Sequence, residues 1–127
     1  MATILVIDDE KIVLQMLRLA LTTCGHNVDT ALDGEEGIQK FDSNRFDLVI
    51  TDICMPGIDG NGVVQYIRNS DKPAIPVIGI SGTPWLVEDN NFDEVIPKPF
   101  PIKTLIDTIE RVAEKPLNKE VLIFACN

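Results

Sequence analysis

The sequence of 127 residues predicts an α/β fold, a doubly wound parallel sheet with helices on both faces. Short apolar runs, such as residues 4–7 and 48–50, are typical of strands that are buried on both sides of such a sheet. Segments with apolar residues at helical spacing separate these runs, and this alternation favours parallel strands joined by right-handed crossovers. Because 45% of the residues are hydrophobic and the chain is short, it fits one domain with a single sheet.

The first half of the chain predicts three strands and two helices. A strand at residues 3–8 precedes a helix that Gly25 is well placed to end. A second strand covers residues 28–31, a helix follows, and a third strand covers residues 46–52. Asp33 and Glu36 form a plausible capping box for that second helix. The apolar residues at helical spacing are Ile12, Val13, Met16, Leu17, Ala20 and Leu21 in the first helix, and Ile38 and Phe41 in the second.

The second half completes a (βα)5 order. Turn-forming residues at 55–60 precede a third helix, and strands are predicted at residues 76–81 and 94–97. The third helix should bury Val63, Val64 and Ile67, and the last helix, which stops before Pro116, carries Ile102, Leu105, Ile106, Ile109, Val112 and Ala113. We expect a five-stranded sheet in the flavodoxin-like order 2-1-3-4-5. The predicted domain covers residues 1–115, and residues 116–127 are a C-terminal extension.

Acidic residues follow two of the predicted strands. Asp8 and Asp9 end the first strand, and Asp52 ends the third. In the order 2-1-3-4-5 the switch point lies between these two strands, so the three carboxylates should converge where α/β sheets bind ligands. Their mutual repulsion amounts to about 1 kcal/mol or more per pair at surface-like dielectric. The cluster therefore indicates a bound cation or a chemical role.

The overall composition excludes several classes of protein. The formal charge of −9, from 20 acidic and 11 basic residues, argues against a nucleic-acid surface. No apolar stretch approaches the roughly 20 residues that span a bilayer, and the N-terminus enters a strand without a signal sequence. The cysteines, Cys24, Cys54 and Cys126, are odd in number and lack CxxC spacing. We expect a cytoplasmic protein with reduced thiols.

Five pieces of the sequence resemble the receiver domain of two-component response regulators. They are residues 6–10 (VIDDE), residues 48–52 (LVITD), residues 55–60 (MPGIDG), Ser81, and residues 98–100 (KPF). Each piece is common by itself, but their order and spacing together are specific. The resemblance covers residues 3–114, approximately the whole predicted domain.

The resemblance implies a role for each site residue. Asp52 is the phosphoacceptor, Asp8 and Asp9 hold Mg²⁺, Ser81 contacts the phosphoryl group and Lys98 pairs with it. Magnesium prefers oxygen ligands, so Asp52 and the backbone carbonyl of Cys54 complete the expected set. Mg²⁺ and Lys98 would offset the charge of an anion that attacks a phosphoryl group. The resemblance also suggests a cis Lys98–Pro99 bond.

The resemblance also predicts partners. A histidine kinase or phosphotransfer protein donates the phosphoryl group, and a downstream protein, which the sequence does not name, reads it. The chain is not expected to be an enzyme, apart from catalysing its own phosphorylation and dephosphorylation. We expect a monomer or a weak dimer that binds neither nucleic acid nor membrane.

The chain departs from the receiver pattern between Ser81 and Lys98. Val95 occupies a position that usually carries an aromatic residue, and the segment is short enough to predict a truncated fourth helix. Trp85 is predicted to be a hydrophobic plug over this face rather than a partner contact. We also expect Cys24 to pack as a small hydrophobe and His26 to be an exposed loop residue.

Two other functions fit parts of the pattern. A degenerate receiver that acts as a constitutive docking module would explain Val95 and the short fourth helix. A phosphatase of the haloacid-dehalogenase type also uses a nucleophilic aspartate, but it places a second aspartate where this chain has Cys54. The apolar residues 121–126 should dock on the domain itself or on a neighbour, and an added edge strand is one alternative.

Overall fold

The computed structural model describes residues 1–87 and 91–113, which form a five-stranded parallel sheet with the order β2-β1-β3-β4-β5. The predicted class and strand order are therefore confirmed. The strands are β1 (Thr3–Ile7), β2 (Asn27–Ala31), β3 (Leu48–Asp52), β4 (Val77–Ser81) and β5 (Glu94–Pro97). The α-helices within the described residues are α1 (Lys11–Thr23), α2 (Gly34–Ser43), α3 (Gly60–Arg68) and α4 (Ile102–Ala113).

Two apolar cores lie on the two faces of the sheet. Successive residues of β1 alternate between them: Ile4 and Val6 join the core under α1 and α4, whereas Leu5 and Ile7 join the core under α2 and α3. Every residue of β3 and β4 is buried. This burial explains why the central strands are almost continuously apolar instead of alternating with polar residues.

The observed boundaries follow the predicted ones closely. The prediction for β5 is confirmed at both ends, and β1, β2 and β4 differ from it by one residue at one end. The strand β3 begins two residues later than predicted, because Phe46 and Asp47 lie in the preceding loop. Gly25 follows α1 with a φ of 90°, as expected for a left-handed helix stop.

The start of α2 confirms only half of the predicted capping box. Asp33 Oδ1 accepts a hydrogen bond from the amide of Glu36 at 2.8 Å. The carboxylate of Glu36, however, accepts at 2.7 Å from the amide of Leu32 and not from that of Asp33. The helix is still capped, since one of its first free amides has a side-chain acceptor.

The buried face of α1 includes only part of the predicted set of apolar residues at helical spacing. Its buried residues are Leu14, Leu17 and Leu21. Ile12 is 79% exposed and Met16 is 43% exposed, so only some of the apolar residues at helical spacing face the sheet. The helix is apolar on more than one side, and apolar spacing alone does not reveal which side faces the sheet.

The connection between β4 and β5 contains one 3-10 turn, Pro84–Leu86, and no α-helix among its described residues. This finding agrees with the predicted truncation of the fourth helix. Trp85 is 75% exposed, so the prediction of a hydrophobic plug was wrong. The C-terminal extension at residues 116–127, with its apolar run, lies outside the described residues.

His26 is less exposed than predicted, and Cys24, which was expected to pack as a small hydrophobe, is only partly covered. His26 is half-buried, and its Nδ1 accepts a hydrogen bond from the amide of Ala2 at 3.0 Å, because the loop after α1 folds back on the start of the chain. Cys24 is half-buried at the end of α1, with a free thiol. None of the helices described here has the length and apolar character needed to cross a membrane.

Candidate functional site

The predicted carboxylates converge at the carboxyl-terminal edge of the sheet. Asp52 is the last residue of β3, and Asp8 directly follows β1, its neighbour in the sheet. Both side chains are buried, whereas Asp9 is exposed. Asp8 Oδ1 accepts a hydrogen bond from the amide of Glu10 at 2.9 Å. Its Oδ2 is buried and has no hydrogen-bond partner among the residues that the structure describes.

Lys98 lies between these two buried carboxylates. Its Nζ is 3.4 Å from Asp52 Oδ2 and 3.6 Å from Asp8 Oδ2. Glu10 Oε1 lies 3.7 Å from the same Nζ, at the exposed side of the cluster. The lysine directly follows β5, and its amide donates to the carbonyl of Ser81 at 2.8 Å. The Lys98–Pro99 bond is cis, as the resemblance suggested.

Burial controls the electrostatics of this cluster. It raises the pKa of Asp8 from 3.8 to about 6, while the amide of Glu10 and the charge of Lys98 oppose the shift. Burial also raises the pKa of Asp52, against the charge of Lys98 and its hydrogen bond. For Lys98, burial lowers the pKa, but the nearby carboxylates, Asp8 first among them, outweigh burial and raise it. The lysine is therefore charged. Additional positive charge near Asp8 and Asp52 would stabilise the ionised forms of both carboxylates.

Ser81 is the last residue of β4, one position beyond Ile80, which is the register partner of Asp52 in the neighbouring strand. It is buried, and its Oγ accepts a hydrogen bond from the amide of Thr83 at 3.0 Å. It borders a cavity of about 490 Å³. The other residues that line this cavity are Ile53, Cys54, Met55, Pro56, Asp59, Asn61, Thr83 and Val87. A side-chain carbon at Gly82 would meet nothing within 4 Å, so this side of the site is open.

Two residues of the site had no role in the sequence prediction. Glu10 belongs to the first motif, and the structure brings its carboxylate to within 4.8 Å of those of Asp8 and Asp9. Gly60 was interpreted only as a turn former. A Cβ at Gly60 would lie 2.7 Å from the carbonyl oxygen of Asp52, so α3 can approach the end of β3 only without a side chain here. Its position before an apolar helix could have suggested this close contact.

The donor set is suited to a hard divalent cation. Carboxylate oxygens dominate it, and the buried Oδ2 of Asp8 has no hydrogen-bond donor among the described residues. These donors fit a magnesium site. The group of carboxylates within 4.8 Å of one another shares Asp8 and Asp9 with the expected set, but it contains Glu10 in place of Asp52 and the Cys54 carbonyl.

Residues 4–110 match the model of the response regulator receiver domain. The chain belongs to the response regulator receiver family. The family assignment agrees with the strand order and with the position of the acidic cluster.

Individual relatives support the same assignment. The response regulator ArlR of Staphylococcus aureus is 34% identical over 125 residues, which are 96% of this chain and 57% of that protein. The receiver thus spans little more than half the length of this curated relative. Among solved structures, TrrA of Thermotoga maritima, crystallised with Mg²⁺ and BeF, is 36% identical with a TM-score of 0.81, covering 88% of this chain and 99% of TrrA. A receiver domain from Clostridium thermocellum is 31% identical with a TM-score of 0.83, covering 96% and 99%.

Family membership establishes the general function of the receiver. Response regulator receivers belong to two-component signalling, and their standard function is phosphorylation on an aspartate. They bind Mg²⁺ in an acidic pocket and interact with histidine kinases and downstream effectors. They are not conventional enzymes. The chain is accordingly a signalling receiver, and the resemblance drawn from its five motifs is confirmed.

Proposed function

We propose that Asp52 is the phosphoacceptor of this receiver and that Lys98 and Ser81 assist its phosphorylation. The main support is the distance of 3.4 Å between Lys98 Nζ and Asp52 Oδ2. This contact joins the end of β3 to the residue that follows β5, across the intervening strand β4. A side-chain carbon at Gly82 would meet nothing within 4 Å, so the residue after Ser81 leaves room for a phosphoryl donor to approach.

The proposed reaction moves one phosphoryl group. An Oδ atom of Asp52 attacks the phosphorus of a phosphohistidine on a partner kinase or phosphotransfer protein, and the bond between phosphorus and the histidine nitrogen breaks. The product is an acyl phosphate on Asp52, which water later hydrolyses to restore the carboxylate. The receiver thus catalyses only its own phosphorylation and dephosphorylation, mainly by positioning and charge stabilisation.

Lys98 and Ser81 supply complementary groups to this reaction. The ammonium of Lys98 can pair with a phosphoryl oxygen, since the carboxylates around it keep its pKa high and the group charged. The hydroxyl of Ser81 borders the cavity and can donate a hydrogen bond to a second oxygen. The hydrogen bond between the amide of Lys98 and the carbonyl of Ser81 fixes the two residues relative to each other.

We further propose that Asp8, Asp9, Asp52 and the backbone carbonyl of Cys54 hold Mg²⁺. The buried Oδ2 of Asp8, which lacks a hydrogen-bond donor among the described residues, supports this assignment. The bound cation would reduce the repulsion between a carboxylate and an incoming phosphoryl group. Glu10 lies at the exposed side of the same cluster and is a candidate ligand through water.

Substitution of Asp52 tests the phosphoacceptor assignment. Wild type, Asp52→Asn and Asp47→Asn would each be incubated with a small acyl phosphate and Mg²⁺. Asp47 is a matched control because it directly precedes β3, at the opposite end of the strand from Asp52, and accepts a hydrogen bond from Thr3 at 2.8 Å. We expect intact-mass spectrometry to show one added phosphoryl group on wild type and Asp47→Asn, and none on Asp52→Asn. Phosphorylation of Asp52→Asn at the wild-type level would contradict the proposal.

A second candidate function is a constitutive docking module. It is favoured by Val95, which is half-buried against the core under α2 and α3. It is also favoured by the connection between β4 and β5, whose described residues contain a 3-10 turn and no α-helix. NMR spectra recorded with and without beryllofluoride and Mg²⁺ would distinguish the docking module from a phosphorylation switch. Resonance shifts that spread from the pocket to Trp85 and β5 would establish a working switch, whereas shifts confined to the pocket would favour the docking module.

The proposed partners follow from the same function. A histidine kinase or phosphotransfer protein supplies the phosphoryl group, and an unidentified protein reads it on the surface of the receiver. We propose that the receiver acts as a monomer or weak dimer. Its free thiols, among them Cys24 and Cys54, fit the reducing cytoplasm.

A further inference from the structure

The helix α1 carries apolar side chains on the face that points away from the sheet. Ile12, Met16 and Leu19 follow one another at intervals of four and three residues, so they form one row along the helix. Ile12 is 79% exposed, Leu19 70% and Met16 43%. An apolar row of this length is unusual on a surface and indicates a contact.

A groove lies beside this row. Val13 and Met16 line one wall, Pro99 and Phe100 line the other, and the volume is about 460 Å³. Glu10 and Lys98, at the edge of the functional site, also border it. We refer to Ile12, Val13, Met16, Leu19 and Phe100 together as the α1 apolar surface.

The chain itself contains a segment that could cover this surface. Residues 121–126 read VLIFAC, six consecutive apolar residues. They follow α4, which packs in the same apolar core as α1. The seven residues 114–120 can extend over roughly 23 Å, while packed helices lie about 8–10 Å apart and α1 is about 20 Å long. A connection of this length is long enough for the segment to reach the α1 apolar surface from the end of α4.

The outer edge of β5 is a poorer place for the same segment. Glu94, in this strand, pairs with Arg111 of α4, so charged groups lie beside the edge. Pro97 also belongs to β5, and proline is a residue that discourages the pairing of further strands. None of the five residues of the α1 apolar surface is charged, and the charged residues Glu10 and Lys98 lie only at the border of its groove.

We propose that residues 121–126 pack against the α1 apolar surface of their own chain. The packing would remove the exposed row of α1 and the apolar segment from water at the same time. It would also place the C-terminal extension beside the groove that leads to Lys98. The proposal does not depend on the phosphorylation of Asp52.

Methyl NMR on the full chain tests this proposal. We expect nuclear Overhauser contacts between the methyl groups of Leu122 or Ile123 and those of Ile12 or Leu19. The substitution Phe124→Gln should shift the Ile12 and Leu19 methyl resonances. It should leave the methyl resonances of Leu32, an exposed residue outside the α1 apolar surface, unchanged.

A double-mutant cycle gives a second readout. Leu19→Gln and Phe124→Gln should each lower the melting temperature by several degrees, and the double variant should lose no more than the larger single effect. For the matched pair Leu32→Gln and Phe124→Gln, the decreases in melting temperature should be additive. Full additivity of Leu19→Gln with Phe124→Gln would overturn the proposal.

Contacts at a different place would overturn it as well. Contacts from the segment to β5 would assign it to the sheet edge. Contacts that appear only between differently labelled molecules in a mixed sample would assign the α1 apolar surface to a second copy of the chain. In either case the intramolecular packing proposed here is wrong.

Discussion

Lys98 and Asp52 form the central contact of the site, with 3.4 Å between Nζ and Oδ2. The same ammonium is 3.6 Å from Asp8 Oδ2, so one cation bridges two buried carboxylates that come from different strands. This arrangement balances part of the negative charge at the switch point. It also places a positive charge beside the oxygen that we propose to be phosphorylated.

Replacement of Lys98 should slow phosphorylation strongly. In Lys98→Met the side chain keeps its length but loses its charge, so we expect the rate with a small acyl phosphate to fall by about 100-fold, the typical cost of losing one group that stabilises a transition state. Phosphorylation would be followed by intact mass against time. Lys103→Met, which changes an exposed lysine at the start of α4, is the control and should keep the wild-type rate. Equal rates for both variants would exclude a role for the Lys98 charge.

The metal-free protein should lose stability as the pH rises through the titration of Asp8. The pKa of Asp8 rises from 3.8 in the unfolded chain to about 6 in the folded protein, so the folded state binds the proton more tightly. Its contribution is complete below about pH 4 and is lost as the pH rises to about 6, by about 3 kcal/mol in total. Urea unfolding in the presence of a chelator, at several pH values, would measure the loss.

The variant Asp8→Asn isolates this effect. Its side chain does not titrate, so between pH 4 and pH 6 its free energy of unfolding should change less with pH than that of wild type. Asp9→Asn alters an exposed neighbour and should retain the wild-type slope. If Asp8→Asn also retained that slope, burial of Asp8 would not be the source of the pH dependence.

A side chain at position 60 should disturb the site through the backbone. In Gly60→Ala the added carbon would lie 2.6 Å from the Cα of Ile53 and 2.7 Å from the carbonyl oxygen of Asp52. We expect a loss of about 1–3 kcal/mol in the free energy of unfolding, the usual cost of overpacking. Gly82→Ala is the control, because its added carbon meets nothing within 4 Å. Equal stability of the two variants would show that α3 can move away without cost.

Trp85 should contribute little to stability. Because the side chain is 75% exposed, Trp85→Ala should change the free energy of unfolding by less than about 0.5 kcal/mol. The emission maximum of this tryptophan, the only one in the chain, should also be that of a water-exposed indole. A large destabilisation or a blue-shifted emission would instead support a buried position.

The parts of the fold that the sequence predicts well are those with one strong local signal. Apolar runs locate the strands, and the acidic residues at their ends locate the switch point, since strand ends in a parallel sheet share an edge. The convergence of Asp8, Asp52, Ser81 and Lys98 followed from the motifs and their order. The structure places all four together.

The features that the sequence did not predict correctly, or did not predict at all, depend on the whole structure. Ile12 and Met16 have helical spacing, but the side of α1 that faces the sheet is chosen by Leu14, Leu17 and Leu21. The exposure of Trp85 depends on how the shortened connection after β4 crosses the surface. Likewise, the role of Gly60 appears only when α3 lies against the end of β3. The first two properties have no local sequence signal, and the only signal for the third is the position of Gly60 before an apolar helix.

The hydrogen bond from the amide of Lys98 to the carbonyl of Ser81, at 2.8 Å, has a mechanical consequence. It joins the end of β4 to the residue that follows β5. A force on the side chain of Ser81 or of Lys98 is therefore transmitted to the backbone of the other residue. A backbone displacement of Lys98 relative to Asp52 must therefore either break this hydrogen bond or move the end of β4 as well. The stiffness of this strand pair, rather than the reach of the lysine side chain, would then determine how far a signal travels from Asp52.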